Sequence, residues 1–353
     1  MALMSACGQS HALPPVDAGV DATLAMDSSP PPLPDAAIDS SPPPLPDAAI
    51  DSSPPPLPDA AIDSSPPPPV DAAIDSSPPP SCDTLEPSRT FVIDRMDVGR
   101  EDPVGVSSGY DLDTRVSDDT DPAGCYQPDF TSPSGTPGID NQFAVLAPSL
   151  ESAAGVDLAA SIASSIADGS LLILPVLENL DDNFNDDCVN LTLLLGRVPG
   201  GGAPILGTTG TLAEDQTFDI DPNSFDASGA PLMHAAGATL VDGHLQAGPL
   251  EIALVLPVGA SALSLNIHQA IISFDLAPDG SAFRNGVLGG DIVVEELVAS
   301  VVAFGGGLPV GLVRNALFST ADLAPDAAGD CQSVSVTLVL SAIPARQGVI
   351  AAP

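Results

Sequence analysis

From Cys331 onward the chain alternates, with Val334, Val336, Leu338 and Leu340 on one side and Ser333, Ser335 and Thr337 on the other. A period of two with one apolar face predicts a half-buried antiparallel strand. Residues 189–195 carry nearly the same pattern. Strands are also predicted over 170–178, 238–245, 250–258 and 262–275, separated by Gly, Pro and Asp-Gly turns such as Pro257-Val258-Gly259 and Asp279-Gly280. Helical spacing is rarer. Val156, Ala159, Ile162, Ala163 and Ile166 predict a short amphipathic helix that stops at Asp168-Gly169. A second is predicted over 308–317, with Pro309 in its first turn, while 293–304 fits either period. The pattern as a whole predicts a mainly β, antiparallel, β-sandwich-like domain with a few short helices.

Upstream the pattern changes character. Residues 28–75 are four consecutive copies of a twelve-residue unit, of which three read Ser-Ser-Pro-Pro-Pro-Leu-Pro-Asp-Ala-Ala-Ile-Asp, beginning at Ser28, Ser40 and Ser52. The fourth, from Ser64, has Pro-Val in place of Leu-Pro, and a partial fifth runs from Ser76 to Pro80. Each unit offers only Leu or Val plus Ile for burial, and its prolines donate no backbone hydrogen bond. A solenoid cannot build a core from that, so a disordered stalk of polyproline II character is expected over 28–81. At about 3.1 Å per residue, the 48 repeat residues reach at most about 150 Å. The folded domain is then 82–353, and 1–27 is a separate, acidic N-terminal segment.

Charge narrows the partners. The 353 residues carry 47 acids against 8 bases, all Arg, for a formal net charge of −39. No Lys or Arg cluster is available to displace counterions from phosphate, so nucleic acid is excluded as a partner. An anionic membrane surface is excluded as an electrostatic partner on the same ground. Residues 82–353 hold all eight Arg and 36 of the acids, leaving −28 on the folded part alone. With ten Phe, two Tyr and no Trp, its core must come mainly from Leu, Val, Ile and Ala. The uncharged stretch 297–313 is at the lower limit of a membrane span and is broken by three consecutive glycines and Pro309, so no transmembrane helix is predicted.

The stretch Leu3-Met4-Ser5-Ala6-Cys7-Gly8 resembles the lipobox of Gram-negative bacterial lipoproteins. The resemblance implies cleavage before Cys7 and a diacylglycerol on its thiol, with Ser5 and Ala6 supplying the small residues that the signal peptidase needs. Gly8 after the lipid site implies export to the outer membrane or cell surface. Six residues before Cys7 are too few for a charged region and an apolar region of about 7–15 residues, so 1–27 is read as a truncated leader and tail with the true start upstream. A lipid at Cys7 followed by a stiff, self-repelling spacer would hold the folded part away from the membrane.

Setting Cys7 aside leaves Cys82, Cys125, Cys188 and Cys331, an even number that fits two disulfides in an exported protein. Asp187-Cys188 and Asp330-Cys331 each open an alternating strand, which favours Cys188–Cys331 with Cys82–Cys125 as the second bridge. The absence of a Cys-x-x-Cys spacing argues against a zinc or redox site.

The densest acidic loop runs from Asp111 and Asp113 through Asp118, Asp119, Asp121 and Asp129 to Asp140 and Asn141. Clustered carboxylates repel unless a cation intervenes, and calcium, which takes six to eight oxygens, suits Asp-x-Asp spacing outside the cell. Asp111, Asp113, Asp118, Asp119, Asp121, Asp140 and Asn141 are therefore the candidate metal ligands. Asp181-x-Asn183-x-Asn185 and Asp219-x-Asp221-x-Asn223 have similar spacing but lack the Gly and Glu of an EF-hand. Asx-turns and helix caps account for such residues equally well.

Enzymatic signals are weaker. Gly105-Val106-Ser107-Ser108-Gly109 has the form of a nucleophile elbow, but it follows Arg-Glu-Asp-Pro rather than an apolar strand. His234, His244 and His268 lie apart in the sequence, and neighbouring acids such as Asp186-Asp187 or Glu295-Glu296 read as solvated faces. The apolar strands between Leu250 and Ile272 are explained by burial rather than by a lipid pocket. The sequence thus points to a lipid-anchored envelope protein that displays a binding or structural domain to a glycan or another envelope protein. A secreted or surface hydrolase is the alternative.

Overall fold

The computed structural model describes residues 88–258, 261–304 and 309–351; Cys7, the repeats, Cys82 and Gly259 lie outside them. In chain order the strands and helices are β1 (Ser88–Val98), β2 (Phe130–Thr131), β3 (Pro137–Ile139), α1 (Phe143–Ala154), α2 (Leu158–Asp168), β4 (Ile173–Glu178), β5 (Asp186–Arg197) and β6 (Gln216–Ile220). They continue as β7 (His234–Val241), β8 (His244–Val258), β9 (Ser261–Leu276), β10 (Phe283–Val293), α3 (Val294–Phe304), α4 (Val310–Phe318), β11 (Leu323–Pro325) and β12 (Cys331–Ile350). The domain is mainly β with a few short helices, as the periodicity predicts.

Eight strands pair antiparallel in a ladder that closes on itself, in the order β1, β4, β5, β7, β8, β9, β10, β12 and back to β1. β6 bridges β5 and β12, running parallel to β12, and β11 adds to the start of β12. The sandwich-like packing expected from the pattern therefore takes the form of one large, closed sheet. Closure removes the free edges that a sheet otherwise exposes.

Alternation places the core. Leu250, Ile252, Leu254 and Leu256 of β8 face inward with Leu263, Leu265 and Ile267 of β9, while Glu251, Ala253 and Val255 face out. Phe283 stacks on Phe274 at 3.7 Å between ring centroids and meets Phe91 at 4.0 Å, joining β1, β9 and β10. Each such fully buried side chain contributes about 1.5–3 kcal/mol of transfer free energy.

β12 departs from expectation. Val334, Val336 and Leu338 are fully buried, but Ser333, Ser335 and Thr337 on the opposite face are buried too. Residues 99–142 and α1 cross that face and bring polar groups to its backbone and to Ser335, while the buried Thr337 hydroxyl has no hydrogen-bond partner among the described residues. The Gly99 amide donates to the Thr337 carbonyl at 2.7 Å, Asn141 Oδ1 accepts from the Thr337 amide at 3.1 Å, and Ser335 Oγ accepts from the Gln142 amide at 2.7 Å.

The helices follow their caps and stripes. Asp157 caps α2 by accepting from the Ala160 amide at 2.9 Å, and Gly169, at a φ of 84°, ends it in the left-handed region. Leu158, Ile162 and Ile166 are its buried stripe. The ambiguous span 293–304 becomes the end of β10 followed by α3, because Val294, Leu297, Val298 and Val301 recur at helical spacing and are all buried. Glu151 near the end of α1 receives both terminal nitrogens of Arg100, at 2.6 and 2.9 Å, and also the Leu158 amide at 3.0 Å. One carboxylate thereby joins the covering segment, α1 and the first turn of α2. Among the described residues no single helix is long and apolar enough to cross a membrane.

Candidate metal centre

The acidic loop is anchored before it can present ligands. Tyr110 reaches the sheet, hydrogen-bonding Ser273 Oγ at 2.7 Å and the Val287 carbonyl at 2.9 Å; burial pushes its phenol up to about 12. Its backbone pairs with Asp140, whose amide donates to the Tyr110 carbonyl at 2.9 Å. Asp140 Oδ2 in turn accepts the Leu112 amide at 2.6 Å. The Arg115 amide then donates to Asp111 Oδ1 and to Asp113 Oδ1, each at 3.0 Å. Gly138 is required opposite this turn. Its φ is 83°, and a Cβ there would lie 2.5 Å from the Arg115 carbonyl.

These constraints bring Asp111, Asp113 and Asp140 together, with one carboxylate oxygen of each within 4.8 Å of the others. Oxygens with mutual separations below that bound can lie at calcium–oxygen distances of about 2.3–2.6 Å from one shared ion. All three donors are hard oxygens, which favour calcium, magnesium or manganese over zinc or copper. The triad can hold a metal ion.

Electrostatics around the triad disfavour bare charge. Asp140 is buried, and loss of solvent pushes it up to about 8. The Leu112 hydrogen bond opposes that rise, whereas Asp322, Asp129 and Asp113 add to it by repulsion. Asp113 is raised, chiefly by burial. Asp129 is raised by burial against a 2.6 Å hydrogen bond from the Ser117 amide, with Asp113 and Asp111 nearby. Asp322 is almost wholly buried and pushed up to about 7 for the same reason, although it accepts from both the amide and the hydroxyl of Ser335. Carboxyls in such a setting hold protons or draw a cation.

The other sequence-derived ligand candidates do not join the triad. Asp118 accepts from the Thr120 amide at 2.8 Å and its hydroxyl at 2.6 Å, and Asp119 is exposed. Asp121 caps the short 3₁₀ turn Pro122–Gly124 by accepting from the Ala123 amide at 2.9 Å. Asn141 turns away into the buried network over β12, donating to Ser107 Oγ at 2.8 Å. Asp322, 182 residues from Asp140, carries no signal in the sequence. Asp129 had one, since it sits in the same acidic run. The two outlying Asp-x-Asn stretches serve the backbone: Asn185 accepts from the Asp242 amide, while Asp221 accepts from the Asn223 amide and pairs with Arg197 at 2.7 Å.

The cysteines correct a pairing. Cys125 is bonded to Cys331, with Cα atoms 6.0 Å apart, and neither Cys188–Cys331 nor Cys82–Cys125 forms. Cys188 and Cys331 do open strands, but β1 and β4 lie between β5 and β12 in the ladder on that side. The covering segment instead carries Cys125 to the start of β12. Cys188 is also disulfide-bonded.

The groups with catalytic potential are occupied structurally. Ser107 is buried and its hydroxyl donates to backbone carbonyls of Arg100 and Ser108 while accepting from Asn141. His234 meets Thr192 at 3.0 Å and His244 meets Asp275 at 2.9 Å. His268 lies between Glu251 at 2.6 Å and Glu296 at 3.3 Å; these carboxylates hold it above the ordinary histidine range against the effect of burial.

Two open clefts flank these elements. A largely apolar one of about 870 Å³ lies among α2, β1, β10, β12 and residues 210–212. The second, of about 730 Å³, is more polar and has Asp111 and Asp113 in one wall, with β7 to β10 and β11 forming the rest. Compared with known proteins, the chain matches no family model, no curated protein and no solved structure.

Proposed function

We propose that the chain is a lipid-anchored cell-envelope protein whose β domain binds a partner and is stabilised by calcium at Asp111, Asp113 and Asp140. The observation that carries the calcium reading is the convergence of those three carboxylates beside Asp129 and Asp322, in surroundings that penalise uncompensated negative charge. Calcium rather than a softer metal follows from the all-oxygen donor set and from its abundance outside the cell. The anchor reading rests on the lipobox-like Leu3–Cys7 stretch and the repeats after it. A glycan or an envelope protein is the expected partner. The buried Ser107 hydroxyl, bonded to backbone carbonyls, supports a binding role over the hydrolase alternative.

Calorimetric titration of the EDTA-stripped protein with calcium tests the first reading. Heat of binding with one ion per chain, lost in Asp113→Asn and kept in Asp118→Asn, is expected; no heat in the unsubstituted protein overturns it. Radiolabelled palmitate fed to a bacterial host that expresses the full-length gene tests the second. Label on the protein, lost in Cys7→Ser, is expected, and an unlabelled protein at the surface overturns the anchor.

A further inference from the structure

We infer that the 730 Å³ cleft beside the acidic triad is the binding site for a neutral saccharide. This rests on the binding-module reading but not on calcium. The volume is that of a small-ligand site, which ordinarily falls in the range of about 300–1,000 Å³.

The lining sets the ligand chemistry. Gln246 of β8 and Gln269 of β9 are exposed in the cleft, and among the described residues neither carboxamide has a hydrogen-bonding partner. Thr239 of β7 adds an exposed hydroxyl beside Gln246, its register partner. A carboxamide offers donors and an acceptor on one rigid plane, which matches neighbouring hydroxyls that each donate and accept. Asp291 contributes a further acceptor from β10. Pro249 and Ile271 supply apolar surface on which the C–H face of a sugar ring can rest. No Arg or His is among the described lining residues, while carboxylates are, so phosphorylated and acidic sugars are repelled.

The backbone is bent to make this face. The β8–β9 ladder changes register between Ala247 and Leu250, and the β9–β10 ladder between Gly289 and Asp291. Gln269, between these irregularities, has a φ of 49°, an uncommon left-handed conformation for a residue with a side chain, and its amide is received by Glu251 Oε1 at 3.3 Å. Bulges of this kind re-aim side chains and are over-represented beside functional sites. Here the residue re-aimed is one of the two free carboxamides.

The test is titration of the folded protein with neutral gluco-, manno- and chito-oligosaccharides by saturation-transfer NMR and calorimetry, in calcium and again in EDTA. Binding of at least one series is expected in both buffers. Gln246→Ala and Gln269→Ala should each weaken it about two- to tenfold, the worth of one or two neutral hydrogen bonds. Gln347→Ala, an exposed glutamine on β12 outside the cleft, should leave it unchanged. Absence of any saccharide binding, binding indifferent to both glutamine substitutions, or binding of spermidine in place of sugars overturns the inference. Saccharide binding without calcium binding would refute the calcium reading alone, and the converse would refute this inference alone.

Discussion

Asp140 accepts the Leu112 amide at 2.6 Å, so the residue on which the acidic loop converges also fixes the loop's path. Leu112 stands between Asp111 and Asp113, and its amide cannot move without moving both carboxylates. Ligand and scaffold are thus one side chain. Asp140→Asn keeps an acceptor for Leu112 but removes the charge, and should reduce calcium affinity by about tenfold or more with the apo melting temperature little changed or raised. Asp140→Ala removes both and should destabilise the apo protein as well, by about 1–3 kcal/mol for the stranded amide. Calorimetry paired with thermal melts separates the two; equal calcium affinity in Asp140→Asn would remove Asp140 from the site.

Stability should depend on pH in a direction set by the raised carboxyls. Asp322, pushed up to about 7, and Asp140, pushed up to about 8, keep their protons in the folded state where the unfolded chain, at an ordinary value of 3.8, has lost them. That contribution is fully present below about pH 4 and is lost as pH rises through about 7 to 8. Carboxylates with lowered values, such as Glu151 and Asp275, act at the acid end and are complete by about pH 5. His268 works in the same direction as Asp322, so the comparison with Asp322→Asn isolates the buried acid. In EDTA the melting temperature should fall between about pH 5 and pH 9, less steeply in Asp322→Asn, and calcium should restore more of it at the alkaline end. A melting temperature that rises across this interval in EDTA would show that the buried acids are not protonated.

The Cys125–Cys331 bridge joins the covering segment to the first residue of β12 across 206 residues of sequence. Non-reducing peptide mapping should recover those two cysteines in one linked fragment. Cys125→Ser with Cys331→Ser should lower unfolding free energy by about 2–5 kcal/mol, the usual cost of losing a native bridge. Denaturant unfolding measures it, and an unchanged midpoint would mean that hydrogen bonds to Thr337 and Ser335 suffice to hold the segment down.

Much of this architecture can be read from local pattern. The apolar side of β12, the strand β9 and the stop of α2 at Gly169 are periodic or punctuated in the sequence, and each is where the pattern puts it. The strand predicted over 238–245 is instead the β7–β8 hairpin, turning at Asp242 and Gly243, and β8 begins at His244 rather than Leu250. What cannot be read is which surface covers which. Ser333, Ser335 and Thr337 look like a solvent face because alternation reports polarity, and only the tertiary fold supplies the polar segment that buries them. The site divides in the same way. Asp111 and Asp113 are legible as a pair because a single residue, Leu112, separates them, and Asp140 because it belongs to the same acidic run. Asp322 is not, since its place beneath the site depends on β11 and β12 meeting the covering segment. Asp118, Asp121 and Asn141 share the composition of ligands, but their side chains are committed to nearby amides and hydroxyls. The cysteine pairing failed for a topological reason, since two similar strand starts are not neighbours when β1 and β4 stand between them.

The aromatic contact among Phe91, Phe274 and Phe283 offers a test of the core that is independent of the site. With so few aromatics in the chain, these three rings fill space that the aliphatic residues around them cannot reach without repacking. Phe283 is the shared member, stacked on one ring and tilted on the other, so its removal opens a cavity facing both. Phe283→Ala should cost about 3–5 kcal/mol, and Phe283→Leu less, because a branched side chain recovers part of the volume. Calcium affinity should stay the same in Phe283→Leu if the triad is held by its own loop contacts with Tyr110 and Leu112. Denaturant unfolding and calorimetric titration on the same preparation measure both quantities. A loss of calcium binding in the still-folded Phe283→Leu protein would mean that the site is positioned by the core beneath the sheet and not by the loop itself.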